Sequence, residues 1–190
     1  MIDKRTNTNH FQQHKIYQTA VLNTTWRVTT TSSEQLPRRL FVVFQRKDRR
    51  GNQEHNNGIF DNANVRRIYA RINSKQYPER AIECNFADDA NNNITRPYMN
   101  LLDSMQNYQD TEDGTQISVK EFRTLYPIFY FDVSKQSERG VDSTADIEVT
   151  WTLELPLAPA VPAPLNVYAL VISDKSVTID SIGGKMTIQV

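Results

Sequence analysis

Between Ala145 and Leu155 the chain reads ADIEVTWTLEL, with Ile147, Val149, Trp151, Leu153 and Leu155 at alternate positions and Asp146, Glu148, Thr150, Thr152 and Glu154 between them. Successive side chains of a strand point to opposite faces, so this period of two assigns one face to a core and the other to water. A helix would scatter the same five apolar residues around its circumference. A strand of this kind needs a second apolar layer to cover it, which points to stacked sheets or to helices on a sheet.

The remaining segments favour stacked sheets. VLNTTWRVTTT (21–31) is β-branched and alternating, and LFVVFQ (40–45) is a short apolar run led in by Pro37; both read as strands. RKDRRGNQEHNNG (46–58) is a polar loop ending in Asn57-Gly58, a turn signal. NVRRIYARI (64–72) places Ile68, Ala70 and Ile72 on one face and Arg67, Tyr69 and Arg71 on the other. LNVYALVIS (165–173) is apolar on both faces and reads as an interior strand, while SVTID (176–180) and KMTIQV (185–190) flank Ile182-Gly183-Gly184 as a hairpin. Four of the eight prolines fall in PLAPAVPAP (156–164), a stiff connection that cannot donate ladder hydrogen bonds.

Two segments are helical. RPYMNLLDSMQNY (96–108) sets Met99, Leu102 and Met105 on a stripe with Leu101 and Tyr108 flanking, and SVKEFRTLYP (118–127) opens with Ser118 and Glu121 in capping-box spacing and stops before Pro127. The expected fold is therefore all-β: a jelly-roll β-sandwich of eight to ten strands, with two short helical insertions in connecting loops. Residues 1–15 lack periodicity and are expected to form a flexible N-terminal arm, with residues 16–190 as a single jelly-roll domain.

Lysine plus arginine equal aspartate plus glutamate at 22 each, so no global field draws nucleic acid, an anionic membrane or acidic ligands. A local cationic cluster remains at Arg46, Lys47, Arg49 and Arg50, with Arg38, Arg39, Arg66 and Arg67 as possible neighbours. Asp48 and Glu54 interrupt it and no aromatic residue is interleaved to stack on bases, so it reads as a solvated loop or a subunit contact. The single Cys84 has no partner for an internal disulfide or a thiolate metal site. The N-terminus has no apolar h-region, and no run approaches the roughly 18 apolar residues of a membrane span, so a soluble protein without a visible export signal is expected.

No catalytic, cofactor or metal constellation emerges. His10 and His14 lie in the expected arm and His55 in a loop, so none falls on an inward face suited to a barrel-mouth metal. Reading Asp89, Asn91 and Asn93 as calcium ligands requires glycine where Ile94 stands and glutamate where Asn100 stands. Gly-x-Ser-x-Gly, Gly-x-Gly-x-x-Gly and Walker patterns are missing from the sequence, and Ser134 has no evident histidine partner. The polar end of IFYFDVSKQSERG (128–140) reads as a strand exit, where Asp132 and Ser134 hydrogen-bond nearby backbone as the ladder ends.

Several stretches carry a family likeness. FVVFQRKDRRGNQEHNNGIFDNANVRRIYARINSKQYP (41–78) resembles the strand, polar loop, strand sequence of the second jelly roll in double jelly-roll major capsid proteins of Polinton and adintovirus type. FDVSKQSERGVDSTADIEVTWTLELP (131–156) and LNVYALVISDKSVTID (165–180) resemble the closing strands of that domain, and the likeness spans roughly residues 20 to 182. Its signature is the joint occurrence of Phe44-Gln45, Phe60-Asp61, Asn73-Ser74, Tyr77-Pro78 and Asp132-x-Ser134-Lys135-Gln136.

The resemblance implies a structural viral protein found in the virion. A jelly roll would stand upright in an icosahedral shell, partnered by other capsid subunits in trimers that form pseudo-hexagonal capsomers. It transfers no catalytic residue and implies neither a specific nucleic-acid partner nor a membrane. The sequence departs from the family in holding one jelly roll and in its elaborate PLAPAVPAP connection. The alternative expectation is a jelly-roll module that binds carbohydrate or protein through exposed aromatic residues such as Tyr69 or Tyr168.

Overall fold

The computed structural model describes residues 4–21, 25–29, 37–49, 51–86, 92–106, 117–135, 146–153, 164–182 and 185–189. Along the chain run β1 (Lys4–Ala20), β2 (Thr25–Thr29), β3 (Pro37–Arg46), β4 (Val65–Ile72), β5 (Lys75–Glu83), α1 (Thr95–Gln106), α2 (Val119–Thr124), β6 (Phe129–Asp132), β7 (Asp146–Leu153), β8 (Leu165–Ile182) and β9 (Lys185–Gln189). The alternating segment is β7, and Ile147, Val149 and Trp151 are buried as a period of two requires.

The strands form two antiparallel sheets, ordered β1-β8-β3-β6 and β2-β7-β4-β5, with β9 paired to β8. Apart from the β4-β5 and β8-β9 hairpins, each strand is followed in sequence by one in the opposite sheet. This is the interlocked order of a jelly roll, and the fold class expected from the sequence is correct. The core lies between the sheets. Phe44 meets Trp151 and Phe129 edge-on, with ring centroids 5.5 and 6.1 Å away. Phe86, Phe122 and Tyr98 extend this aromatic chain to the helices between β5 and β6. Cys84 is buried beside them, and burial pushes its thiol up to about 12.

The expected flexible arm is corrected by this structure. From Lys4 onward it is strand β1, paired with β8 without a register break from Lys4↔Ile182 to Ala20↔Asn166. Ladder hydrogen bonds join backbone to backbone, so a polar sequence without periodicity can be a strand where a neighbour supplies partners. The two strands expected at 165–173 and 176–180 are likewise one, because β1 carries the ladder through Asp174 and Lys175. β3 leaves β8 at Ser173, and β1 and β8 continue past it for roughly 30 Å, joined by β9.

The helices fall where expected, with one change of face. α2 is opened by a full capping box: the Ser118 side chain accepts from the Glu121 N–H at 3.2 Å, and the Glu121 carboxylate accepts from the Ser118 N–H at 2.8 Å. That backbone bond, then the Ser118 hydroxyl, holds the Glu121 carboxyl below its ordinary range. In α1 the buried positions are Pro97, Leu101 and Ser104, while Met99 is exposed. Residues spaced strictly by three drift around a helix of 3.6 residues per turn, whereas mixed steps of four and three stay on one side.

β5, a strand that the sequence reading missed, contains Pro78 and, among the described residues, pairs with β4 alone. An edge position tolerates proline, and the register jumps there from Ala70↔Tyr77 to Ile68↔Ile82. Most of PLAPAVPAP, the glycines 183 and 184, and residues 87–91 lie outside the described residues.

Candidate interaction surface

The two sheets present very different outer faces. On β2-β7-β4-β5, register aligns Arg27, Glu148 and Arg71 in one row and Thr25, Thr150 and Tyr69 in the next. Glu148 accepts from both arginines, at 3.2 and 3.3 Å, and the Tyr69 ring lies 5.7 and 5.3 Å from the Arg67 and Arg71 guanidinium carbons. This is a hydrated charged surface whose ion pairs contribute little to stability.

The outer face of β1-β8-β3-β6 is apolar at its centre. Register aligns Ile16, Leu170, Phe41 and Tyr130 across all four strands, and Gln18, Tyr168 and Val43 across three. The Phe41 and Tyr130 rings pack at 5.0 Å, and Ile16 is 73% exposed. Ile16, Phe41, Val43, Phe60, Tyr168 and Leu170 help line a groove of about 660 Å³. Polar rows bound it: Ala20, Asn166 and Gln45 at one end, and His14, Ile172, Arg39 and Asp132 at the other.

One wall of the groove is the loop after β3, and two dipeptides singled out from the sequence close it. Phe44 points into the core and its carbonyl accepts from the Asp61 N–H at 2.8 Å. Gln45, on the opposite face and only 7% exposed, donates its amide to the carbonyls of Asn57 and Ile59 at 2.8 and 3.1 Å. The Asp61 carboxylate accepts from the Arg46 backbone N–H at 2.8 Å and from the Arg49 guanidinium at 2.9 Å. Phe60 donates its N–H to the Leu125 carbonyl at 2.9 Å, tying the loop to the end of α2.

The other signature residues lie elsewhere. Asn73 and Ser74 form the two-residue β4-β5 turn with φ of 48° and 70°, the pair of left-handed residues that a type I′ hairpin requires. Tyr77 is buried under the Lys75 ammonium at 5.6 Å, and the Tyr77-Pro78 peptide is cis. At the end of β6, Asp132 accepts from the Ser134 N–H at 2.9 Å, and Arg38 reaches the Ser134 carbonyl at 3.1 Å and Asp174 at 3.1 Å. Lys135 is exposed there, and Gln136 lies outside the described residues.

Two members of the cationic cluster are ion-paired within the loop. Arg46 pairs with Asp48, whose hydrogen bond from the guanidinium lowers the carboxyl and raises the arginine, and Arg49 pairs with Asp61. Lys47 is exposed, and Arg50 lies outside the described residues. His10 and His14 sit on β1 about 13 Å apart, too far to share an ion, and no group of three metal-binding side chains occurs among the described residues. No helix among the described residues is long and apolar enough to cross a membrane.

Sequence reasoning missed the apolar outer face, because alternate residues of four distant strands compose it. Its trace was the double-sided apolarity of LFVVFQ and LNVYALVIS. β8 is interior within its sheet, as expected, yet its second apolar side is turned outward.

A chain in a structure of the Sputnik virophage has a similar fold, with a TM-score of 0.50 at 11% identity. The match covers 96% of this chain and 38% of the virophage chain, so the present sequence corresponds to well under half of that protein. No curated protein matches the sequence. The model of the double jelly roll-like domain matches residues 7–177, and the chain belongs to that family.

Proposed function

We propose that this chain is a structural, capsid-type protein and works by assembly with other subunits. The observation that carries the reading is the double jelly roll-like domain match across residues 7–177, on a sandwich with jelly-roll strand order. In the finer form of the proposal, the domain is the second jelly roll of a Polinton- or adintovirus-type capsid protein. It stands in an icosahedral shell, with trimers as the capsomers and the virion as its location. The virophage protein with the similar fold is much longer than this chain, so the activity of a whole capsid subunit belongs to the proposal.

The surface suits such a role. An apolar outer face removed from water on assembly supplies the driving force, and the opposite charged face stays hydrated. No turnover is required of either face. Light scattering and negative-stain microscopy of the purified chain test the reading. Trimers or shell-like assemblies are expected, little affected by salt, whereas a chain that shows no trimer or larger shell at any concentration or ionic strength counts against it.

A jelly-roll module that binds protein or carbohydrate is the second reading, because Tyr168 lines the apolar groove. Saturable glycan binding lost on Tyr168→Ala would favour it. Tyr69 suits that role less, since its ring is already flanked by Arg67 and Arg71.

A further inference from the structure

We propose that Asn57 is a latent deamidation site, held shut in the folded chain by Gln45 and Asn56 and released when the loop after β3 opens. Asn57-Gly58 is the one Asn-Gly pair in the sequence, and both residues are exposed. Glycine after asparagine leaves no Cβ to obstruct approach of its backbone nitrogen to the asparagine side chain, which makes such a pair chemically labile. The Gly58 nitrogen bonds to Asn57 Cγ, the bond from Cγ to the amide nitrogen breaks, and ammonia leaves with the proton that the Gly58 nitrogen gives up. Water then opens the cyclic imide. Attack at Cγ gives aspartate, and attack at the Asn57 backbone carbonyl gives isoaspartate, in which the main chain runs through Cβ and Cγ. The net exchange is water for ammonia, and no oxidant or cofactor takes part.

Closure swings the Asn57-Gly58 peptide unit about the Asn57 Cα–C bond until its nitrogen meets Cγ, and that nitrogen must lose its hydrogen. In the folded loop this unit is pinned at both ends. Its carbonyl accepts from the Gln45 amide at 2.8 Å, and its N–H donates to Asn56 Oδ1 at 2.8 Å. The Gln45 amide also donates to the Ile59 carbonyl at 3.1 Å, and the Ile59 N–H reaches the Asn56 carbonyl at 3.3 Å, so the residues on either side are tied down as well. Gln45 is 7% exposed and belongs to β3, so the restraint on the loop comes from the sheet.

Asn57 and Gln45 line the apolar groove together with Phe60 and Ile128. Deamidation therefore sets a carboxylate in the wall of that groove. Isoaspartate also lengthens the main-chain path and displaces the carbonyl that Gln45 holds, so a transient opening of the loop leaves a permanent change in the apolar face. This inference does not depend on the capsid reading, since it rests on the chemistry and hydrogen bonds of one loop.

Peptide mapping by mass spectrometry of the whole chain, aged in mildly alkaline buffer either folded or in urea, tests it. Asn57 is expected to convert at least about tenfold more slowly in the folded chain, because conversion follows the fraction of loops that are open and both Gln45 bonds oppose opening. Gln45→Ala should raise the folded-state rate about tenfold or more and Asn56→Ala about fivefold, while the rate in urea stays that of the wild type. Asn56 is exposed, so Asn56→Ala should melt as the wild type does, and faster conversion in it reports the lost bond to Gly58 and not a lost fold. Conversion of the folded wild type as fast as in urea, folded-state rates unchanged in both variants, or no conversion at Asn57 even in urea overturns the proposal.

Discussion

Gln45→Glu replaces one amide nitrogen by oxygen at nearly constant shape, and the structure gives that atom two jobs. The Gln45 amide donates to the carbonyls of Asn57 and Ile59 at 2.8 and 3.1 Å, in a residue only 7% exposed. Each such bond contributes about 1 kcal/mol net, so Gln45→Ala should cost about 2 kcal/mol. A carboxylate cannot donate and instead aims negative charge at two carbonyl oxygens in a poorly solvated place. Loss of both bonds plus that desolvation should cost about 4 kcal/mol near neutral pH. For a chain of 190 residues this corresponds to a melting temperature about 8 to 16 °C lower.

The sign of the pH dependence follows from the same geometry. Folding disfavours the ionised form of the introduced carboxyl, so its folded pKa lies above its unfolded value of about 4.3. Below about pH 4.3 the variant should fall short of wild type by only about one hydrogen bond, since a protonated carboxyl donates once, and the gap should widen as pH rises from there to the folded pKa. Urea unfolding followed by circular dichroism, at several pH values beside wild type, measures the difference; exposed Gln53→Glu serves as the control. A Gln45→Glu variant within about 0.5 kcal/mol of wild type at neutral pH, or a gap insensitive to pH, would show that the amide does not hold the loop.

Phe44→Ala removes the ring between Trp151 and Phe129 and should cost about 3 to 5 kcal/mol, read by chemical denaturation, with a red shift of tryptophan emission if water reaches Trp151. Ser74→Gly places glycine at a φ of 70° in the β4-β5 turn and should be neutral or stabilising by up to about 1 kcal/mol, whereas Ser74→Val should destabilise, both read as melting shifts. Burial that pushes the Cys84 thiol up to about 12 predicts negligible reaction with a thiol reagent at pH 8 in the native protein and prompt reaction in urea. Arg27→Ala should change stability by less than about 0.5 kcal/mol, since the 64% exposed Arg27 shares Glu148 with Arg71.

The loop after β3 shows how a cationic run in sequence can end as scaffolding. Arg46 and Arg49 are drawn to Asp48 and Asp61, and Asp61 also receives the Arg46 backbone N–H. Spacing along the chain could not reveal this, because Asp61 is brought to β3 by the bridge to Phe44. The same bridge makes neighbours of Phe44-Gln45 and Phe60-Asp61, and together they fix one wall of the apolar groove.

Local period and chemistry were enough to read the alternating face of β7, the split faces of β4, the capping box of α2 and the absence of a recognisable catalytic motif. These depend on residues within one element, so the sequence by itself determined them, and with them the class of an all-β sandwich. Tertiary structure decided the rest. β1 is a strand because β8 offers a ladder along its whole length, and the buried side of α1 is Leu101 and Ser104 because that side meets the core. The apolar outer face exists only once register sets Ile16, Leu170, Phe41 and Tyr130 in one row. Residues from four strands become a surface through pairing over long sequence separations, and no local pattern encodes that pairing.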